Sequence, residues 1–479
     1  MKEMRLKMRV EKVYQHLNQW EKENREKLMM KERKGAADFT PGVLAEADAF
    51  CEDYKKFLDN SRTEREAVVY VKAMAEANGF VEYDPEASYK PGDRVYIINR
   101  EKAIGLAVIG KNGTDNGVKL AIAHIDSPRI DLKPNPLYQD NGMALFKTHY
   151  YGGIKKYQWT AIPLAMHGRV VKLDGSTVDI RIGDDPADEC FLITDLLPHL
   201  DKEMATKTMS KAFTGEDLNI LVGSRPYDDS DEKDLIALNV MKILNDRYGI
   251  CENDFLSAEL NFCPAFKTRD IGFDRSMIGG YGHDDRCCAY PSVMAALDTE
   301  LPDCTCITYL TDKEETGSDG NTGMQSDFLR YFIYDLAKAD GNEGYHVLSK
   351  SKCLSADVNA AYDPTFASAY EPKNCSFINE GVVISKYTGH GGKYDTSDAS
   401  AEFMGEIRAM LEKNGVKWQI GELGKVDIGG GGTIAKYVAN MNVDVVDLGV
   451  AVLCMHAPFE VISKADIYMA YKAFYGLFN

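Results

Sequence analysis

The stretch VKLAIAHIDSPR, Val118 to Arg129, decides how the rest of the chain is read. An apolar run of strand length ends in His124, Asp126 and a proline, the profile of a buried strand whose carboxyl end carries polar chemistry. Similar runs recur downstream. TCITYLT (Thr305 to Thr311) precedes Asp312-Lys313-Glu314-Glu315, KCLSAD ends in Asp357, and VVDLGVAVLCM (Val445 to Met455) precedes His456. Between them lie helical stretches: SVMAALDTE, SDFLRYFIYDLAKA, AEFMGEIRAMLEKNG and a last one from Ser463. This alternation predicts an α/β fold with a mixed, mostly parallel sheet and helices on both faces. Sites in such sheets form beyond the carboxyl ends of the strands. Residues distant in sequence can therefore converge there.

Upstream, residues 1 to about 60 are helical in pattern and heavily charged. Ser61 then opens a helix, RTEREAVVYVKAMAEANGF, with Gly79 as its stop. Strands follow at RVYIINR and IGLAVIG. From Lys133 the chain turns loop-rich and includes a hairpin pattern, GRVVKLDGSTVDIRIG, and a helix, LIALNVMKILNDRYG. We read 133–255 as an inserted β-rich dimerisation or lid domain. Residues 1–132 and 256–479 then form one discontinuous catalytic domain, to which AELNFCPA from Ala258 returns the chain.

A length of 479 residues exceeds one ordinary core. The net charge of −18 argues against nucleic acid and anionic membrane as partners. The N-terminal segment has no apolar core of the kind a secretory signal needs, and no apolar stretch reaches membrane-spanning length. The 11 cysteines form no C-x-x-C pair, and Cys304, Cys306 and Cys454 sit in apolar runs. Buried, reduced thiols in a cytoplasmic protein are the expectation.

Taken singly, each polar island has a plain structural alternative. Asp126 could bond a local turn, Asp284-Asp285 in GHDDR (Gly282 to Arg286) could complement a helix dipole, and Asp357 could be a cap. Together, AHIDSPR, GHDDR, DKEETGSD, LSADVN and MHAP concentrate histidines and carboxylates in the manner of paired divalent cations. The set points to a two-metal hydrolase.

The segments AHIDSPR, DKEETGS, SAD and LCMH, together with YYGGIKKYQW (Tyr150 to Trp159), resemble the aspartyl-aminopeptidase-type metallopeptidases, the eighteenth metallopeptidase family, in a bacterial-type form. The resemblance runs from about Arg65 to the C-terminus and implies a zinc-exopeptidase-like fold. Carried over residue by residue, it implies that Asp284 bridges two metal ions. His456 and Glu315 would complete one site, and His124 and Asp357 the other. Glu314 would be the general base and Asp126 would hold the His124 ring. The ions expected are zinc, with cobalt or manganese as alternatives. Paired metals about 3.5–4 Å apart clamp attacking and leaving oxygens, a base beside a ligand can move the proton, and a His–carboxylate pair fixes the tautomer.

The implied activity is removal of N-terminal residues from peptides. A deacylase of the related two-metal carboxypeptidase-like clan and an inactive scaffold are the alternatives. The presence of all five ligands and Glu314 argues against the scaffold. The resemblance also implies homo-oligomers, dimers building a dodecamer, with His199 reaching a neighbouring subunit's site. It places Gly431, Gly432 and Thr433 of the glycine run beside the substrate's N-terminal residue. One departure stands out. After Asp357, where many relatives carry two histidines, the run is VNAAYDPTF, with Ala360 and Asp363 at those positions. An acid in the substrate pocket predicts a preference for basic or neutral N-terminal residues.

Overall fold

The structure is a computed structural model that describes residues 18–30, 32–230 and 232–479. The leading part of the helical pattern expected over 1 to about 60, residues 1–17, lies outside the described residues. Packing separates a unit that ends at Phe39 from a unit spanning Thr40–Asn479. In the first, residues 18–28 are helical and Gly35–Asp38 forms a 3-10 turn.

The second unit is mixed α/β. Its largest sheet has nine strands. In chain order they are β1 (Val81–Glu82), β2 (Arg94–Asn99), β3 (Ala103–Val108), β4 (Lys119–His124), β5 (Cys306–Thr311), β6 (Lys352–Ser355), β7 (Val382–Ser385), β8 (Trp418–Ile420) and β9 (Asp444–Gly449). Their spatial order is β1-β2-β3-β5-β4-β6-β9-β7-β8. The central pairs β5–β4, β4–β6 and β6–β9 are parallel, as are β1–β2 and β7–β8. The pairs β2–β3, β3–β5 and β9–β7 are antiparallel. Alternation along β5 shows that both faces are covered. Ile307 and Tyr309 share a core with Leu329, Phe332 and Ile333 of the helix Phe328–Ala339. Thr308, facing the other way, donates its hydroxyl to Ser292 O, 2.9 Å away, in the helix His283–Asp298.

A seven-stranded sheet spans Arg129–Asp140 to Ala258–Pro264 and has its own core around Phe146, Trp159 and Phe262. The predicted hairpin is there, Leu164–Val171 against Thr177–Ile182. Ala258–Pro264, read as returning the chain to the catalytic domain, pairs with Leu164–Val171 and Arg129–Asp140 of this second sheet.

A third, five-stranded sheet has no counterpart in the sequence reading. It joins Arg269–Ile271, Met277–Gly280, Glu460–Ser463, Ala451–Leu453 and Asn359–Ala360. The run VVDLGVAVLCM therefore splits. β9 ends at Gly449 and the chain moves to Ala451–Leu453 in the third sheet. Other boundaries shift less: the helix read from Ser61 is capped by Thr63 in a capping box with Glu66.

Candidate metal centre

His124 is the last residue of β4 and fully buried. Glu314 and Glu315 follow β5 in a 3-10 turn, and Asp357 lies two residues beyond β6. These three parallel neighbours deliver their side chains from one edge, as expected of strand ends. The third sheet supplies the others. Asp284 begins the helix after Met277–Gly280, and His456 occupies the turn between Ala451–Leu453 and Glu460–Ser463, with positive φ. His456 thus does not follow a strand of the large sheet, contrary to the sequence reading.

The geometry centres on Asp284. Its Oδ1 is 3.2 Å from His124 Nε2 and its Oδ2 is 3.2 Å from His456 Nε2. Glu315 Oε2 lies 3.5 Å from His456 Nε2, and Asp357 Oδ1 and Glu314 Oε2 each lie 4.0 Å from His124 Nε2. Both rings are aimed by their other nitrogen. His124 Nδ1 faces the Asp126 carbonyl at 3.1 Å and its carboxylate at 3.3 Å, and His456 Nδ1 faces the Gly153 carbonyl at 2.8 Å. These oxygens only accept, so each Nδ1 carries a proton, and each Nε2 is the nitrogen left to offer a lone pair when a cation takes the place of its proton.

Asp126 accepts from the backbone N–H of Glu314 (3.1 Å) and of Glu315 (3.2 Å) and from the Tyr151 hydroxyl (2.8 Å). Burial works against its charge, but His124 and Tyr151 outweigh that and hold its carboxyl below the usual range. Burial instead pushes Glu314 up to about 7 and Glu315 well above its ordinary value.

This donor set fits metal ions. His124 Nε2, Asp284 Oδ1 and Glu315 Oε1 are buried and have no hydrogen-bond partner among the described residues. Orphaned buried donors crowded this closely ask for a cation. Among the described residues three triads place their donor atoms within 4.8 Å of one another; two belong to this centre, His124, Glu314 and Asp357, and His124, Asp284 and Glu315, and the third is Asp285, Cys287 and Cys288.

The sequence reading missed the residue that pins this arrangement from behind. Buried Glu460 accepts from His456 N at 2.8 Å and from Asp284 N at 3.1 Å. Tyr151, quoted only as part of a motif, is a second omission. A glutamate four residues past His456 has no sequence signal of its own, because its partner Asp284 is remote in the chain.

A cavity of about 510 Å³ opens on the centre and is lined by Asp284, Glu314, Glu315, Asp357 and His456 together with Gly431, Gly432 and Thr433. Gly430 adopts φ 117° against the Gly389 carbonyl, a conformation that only glycine takes readily. Asp363 is not on this wall. Its carboxylate accepts from Thr365 N at 2.8 Å and caps the turn Pro364–Ala369, so the expected specificity role gives way to a turn role. His199 is exposed in the second-sheet region and is not among the cavity residues.

An α/β fold whose large sheet and third sheet together bring histidine and carboxylate donors to one cavity has the makings of a metal-dependent hydrolase. Relatives narrow the class. The family model described as aminopeptidase I zinc metalloprotease (M18) matches residues 57–478. A Clostridium acetobutylicum protein named "Probable M18 family aminopeptidase 1" is 47% identical over 460 residues, covering 94% of this chain and 99% of that protein. The crystal structure of an M18 family aminopeptidase from Thermotoga maritima has 44% identity and a TM-score of 0.90, covering 94% of this chain and 100% of that one. The mApe1 dodecamer of S. cerevisiae, at 21% identity and a TM-score of 0.73 over 91% of this chain and 97% of that one, shares the fold. The chain belongs to the M18 family. It is a metal-dependent aminopeptidase, and neither the deacylase nor the scaffold alternative is favoured.

Proposed function

We propose that this aminopeptidase works with two divalent ions, zinc in the first instance, bridged by Asp284. His456 and Glu315 complete one site and His124 and Asp357 the other. The observation that carries the proposal is the Asp284 carboxylate, whose two oxygens are divided between the two imidazoles. Such a pair supplies Lewis acidity, polarising the scissile carbonyl and lowering the pKa of water. The chain's own residues do the rest. Glu314, raised to about 7 by burial, is matched to accept a proton from the attacking water and return it to the leaving amine. Asp126 holds the His124 ring and the Glu314–Glu315 turn in one register.

The substrate is a peptide with a free N-terminus, whose first residue enters beside Gly431, Gly432 and Thr433. Residues 133–255 are proposed as an inserted dimerisation domain, within a homo-oligomer that extends to a dodecamer as in the mApe1 structure. Leu196, Leu197 and Leu200, exposed around His199, support a subunit contact there. A cytoplasmic setting belongs to the same proposal. Cys51, Cys263, Cys287, Cys288, Cys306, Cys353 and Cys375 are buried cysteines, whereas Cys304 is half-buried and Cys454 exposed, contrary to expectation. Among the described residues no helix is long and apolar enough to cross a membrane.

Metal content decides the bridge. Asp284→Ala is expected to lose both ions, whereas His124→Ala and His456→Ala each weaken one site, measured by elemental analysis of the purified variants alongside hydrolysis of Leu-p-nitroanilide. A fully metallated Asp284→Ala protein would overturn the assignment.

A further inference from the structure

Two carboxylates of the cavity lie outside the metal centre, Asp395, which Lys436 pairs, and Asp447. Asp447, on β9, is only 3% exposed and lines the same cavity as Glu314, Asp357 and His456. It sits directly opposite Ser355 of β6 and Ser385 of β7, so the three side chains share one face of the sheet. Its Oδ1 accepts from the Thr433 hydroxyl at 2.7 Å. Its Oδ2 has no hydrogen-bond partner among the described residues, and neither does the Ser355 hydroxyl in the adjacent strand.

Charge makes this unusual. Asp284, Glu315 and Asp357 would hold the two ions, Glu314 carries the proton and Asp126 faces His124, so each of these acids has a role that Asp447 lacks. Of the cations on the wall, Lys436 is held 3.2 Å from Asp395. Asp447 is left as a buried carboxyl with no cation beside it, and ionising it there is costly unless a cation completes it. An aminopeptidase substrate brings that cation. Every substrate carries an α-ammonium, and an N-terminal lysine carries a second ammonium on its side chain.

We infer that Asp447 is a substrate-binding residue, which receives a primary ammonium of the substrate's N-terminal residue on Oδ2 while Thr433 holds Oδ1 from the glycine loop. This rests on the two-ion reading of the neighbouring centre. It also relocates the acidic group of the substrate pocket from Asp363, which caps a turn, to a residue that faces the cavity. The ammonium donates to Oδ2, no bond other than hydrogen bonds is made, and the charge of the pocket closes only when substrate is bound.

The experiment compares kcat and KM for Lys-, Leu- and Asp-p-nitroanilides on wild type, Asp447→Asn and Thr433→Val, all as metal-loaded protein with ion content measured. Asn keeps an acceptor for Thr433 but removes the charge, and Val removes the hydroxyl but keeps the charge. If Oδ2 receives the α-ammonium, Asp447→Asn raises KM about 10- to 100-fold for every substrate, the range of a lost charge-assisted hydrogen bond. If it receives the lysine side chain, the loss falls on the Lys substrate alone. Thr433→Val is expected to do much less in either case. Equal losses in the two variants would show that Asp447 only anchors the loop, and unchanged KM in Asp447→Asn would also overturn the inference. Loss of bound ions, or activity that survives chelation in wild type, would instead count against the two-ion reading.

Discussion

Asp126 does more than orient a histidine ring. One carboxylate faces His124 Nδ1, the Tyr151 hydroxyl and the amides of both Glu314 and Glu315. It ties the end of β4 to the turn after β5, so a donor and the proton carrier move together. An asparagine side chain in its place keeps the size but loses one acceptor oxygen and the charge. Asp126→Asn is expected to lower metal affinity or kcat by about 10- to 100-fold, measured by titration of the chelated protein with zinc. Glu314→Gln should behave differently. It is expected to lose about 10²- to 10⁴-fold in kcat while keeping its bound ions, because the amide cannot take a proton. A Glu314→Gln protein depleted of metal would reassign Glu314 as a ligand, a role its place in the triad with His124 and Asp357 allows. The candidate donors were legible because histidines and carboxylates at strand ends leave a pattern. Glu460 and Asp447 were not, since each is one acid among 74 Asp and Glu and only its tertiary partners distinguish it. Asp363 misled for the complementary reason: Asp-Pro has a local use as a turn, and the local use won.

The strands of the large sheet were readable where both faces are buried, since such strands are continuous apolar runs. That is why Lys119–His124, Cys306–Thr311 and Lys352–Ser355 match their sequence reading closely. The third sheet escaped because its strands are short and its partners remote, and because periodicity cannot show where a run such as VVDLGVAVLCM changes sheets. The break falls just after Gly449, a position that steric crowding reserves for glycine. A Cβ there would overlap the Asp357 carbonyl, although its backbone φ needs no glycine. Gly449→Ala must therefore push the Asp357 segment out of line with His124. The expected outcome is a protein that folds but binds metal about 10- to 100-fold more weakly and loses activity in proportion, as when the support of a ligand is removed. Near-wild-type metal affinity in Gly449→Ala would mean that the Asp357 backbone has more room than its contacts show.

At the scale of the whole molecule, acids buried around the centre and elsewhere in the core are at odds with folding once they ionise without a cation beside them. Burial pushes Asp312 up to about 7 and Glu460 up to about 8, and Asp447 and Asp466, also buried, to about 7. Unfolded, such groups titrate at about 4. A carboxyl whose folded pKa is raised contributes stability while it is protonated and loses that contribution as pH rises through the folded value. All four therefore act in one direction between about pH 4 and pH 8. Asp284, held low by His124 and His456 despite its burial, titrates below that window and does not oppose them there. Divalent ions reverse the balance, since they favour ionised ligands and bind more weakly as the donors protonate. Chelated protein is thus expected to lose thermal stability from about pH 5.5 to about pH 8, while metal-loaded protein holds or gains it, so that the gap between their unfolding midpoints widens with pH. Scanning calorimetry of both forms across that range reads it directly. A gap that is constant or narrows would mean that the buried acids are compensated within the chain and that the ions do not bind at this cluster.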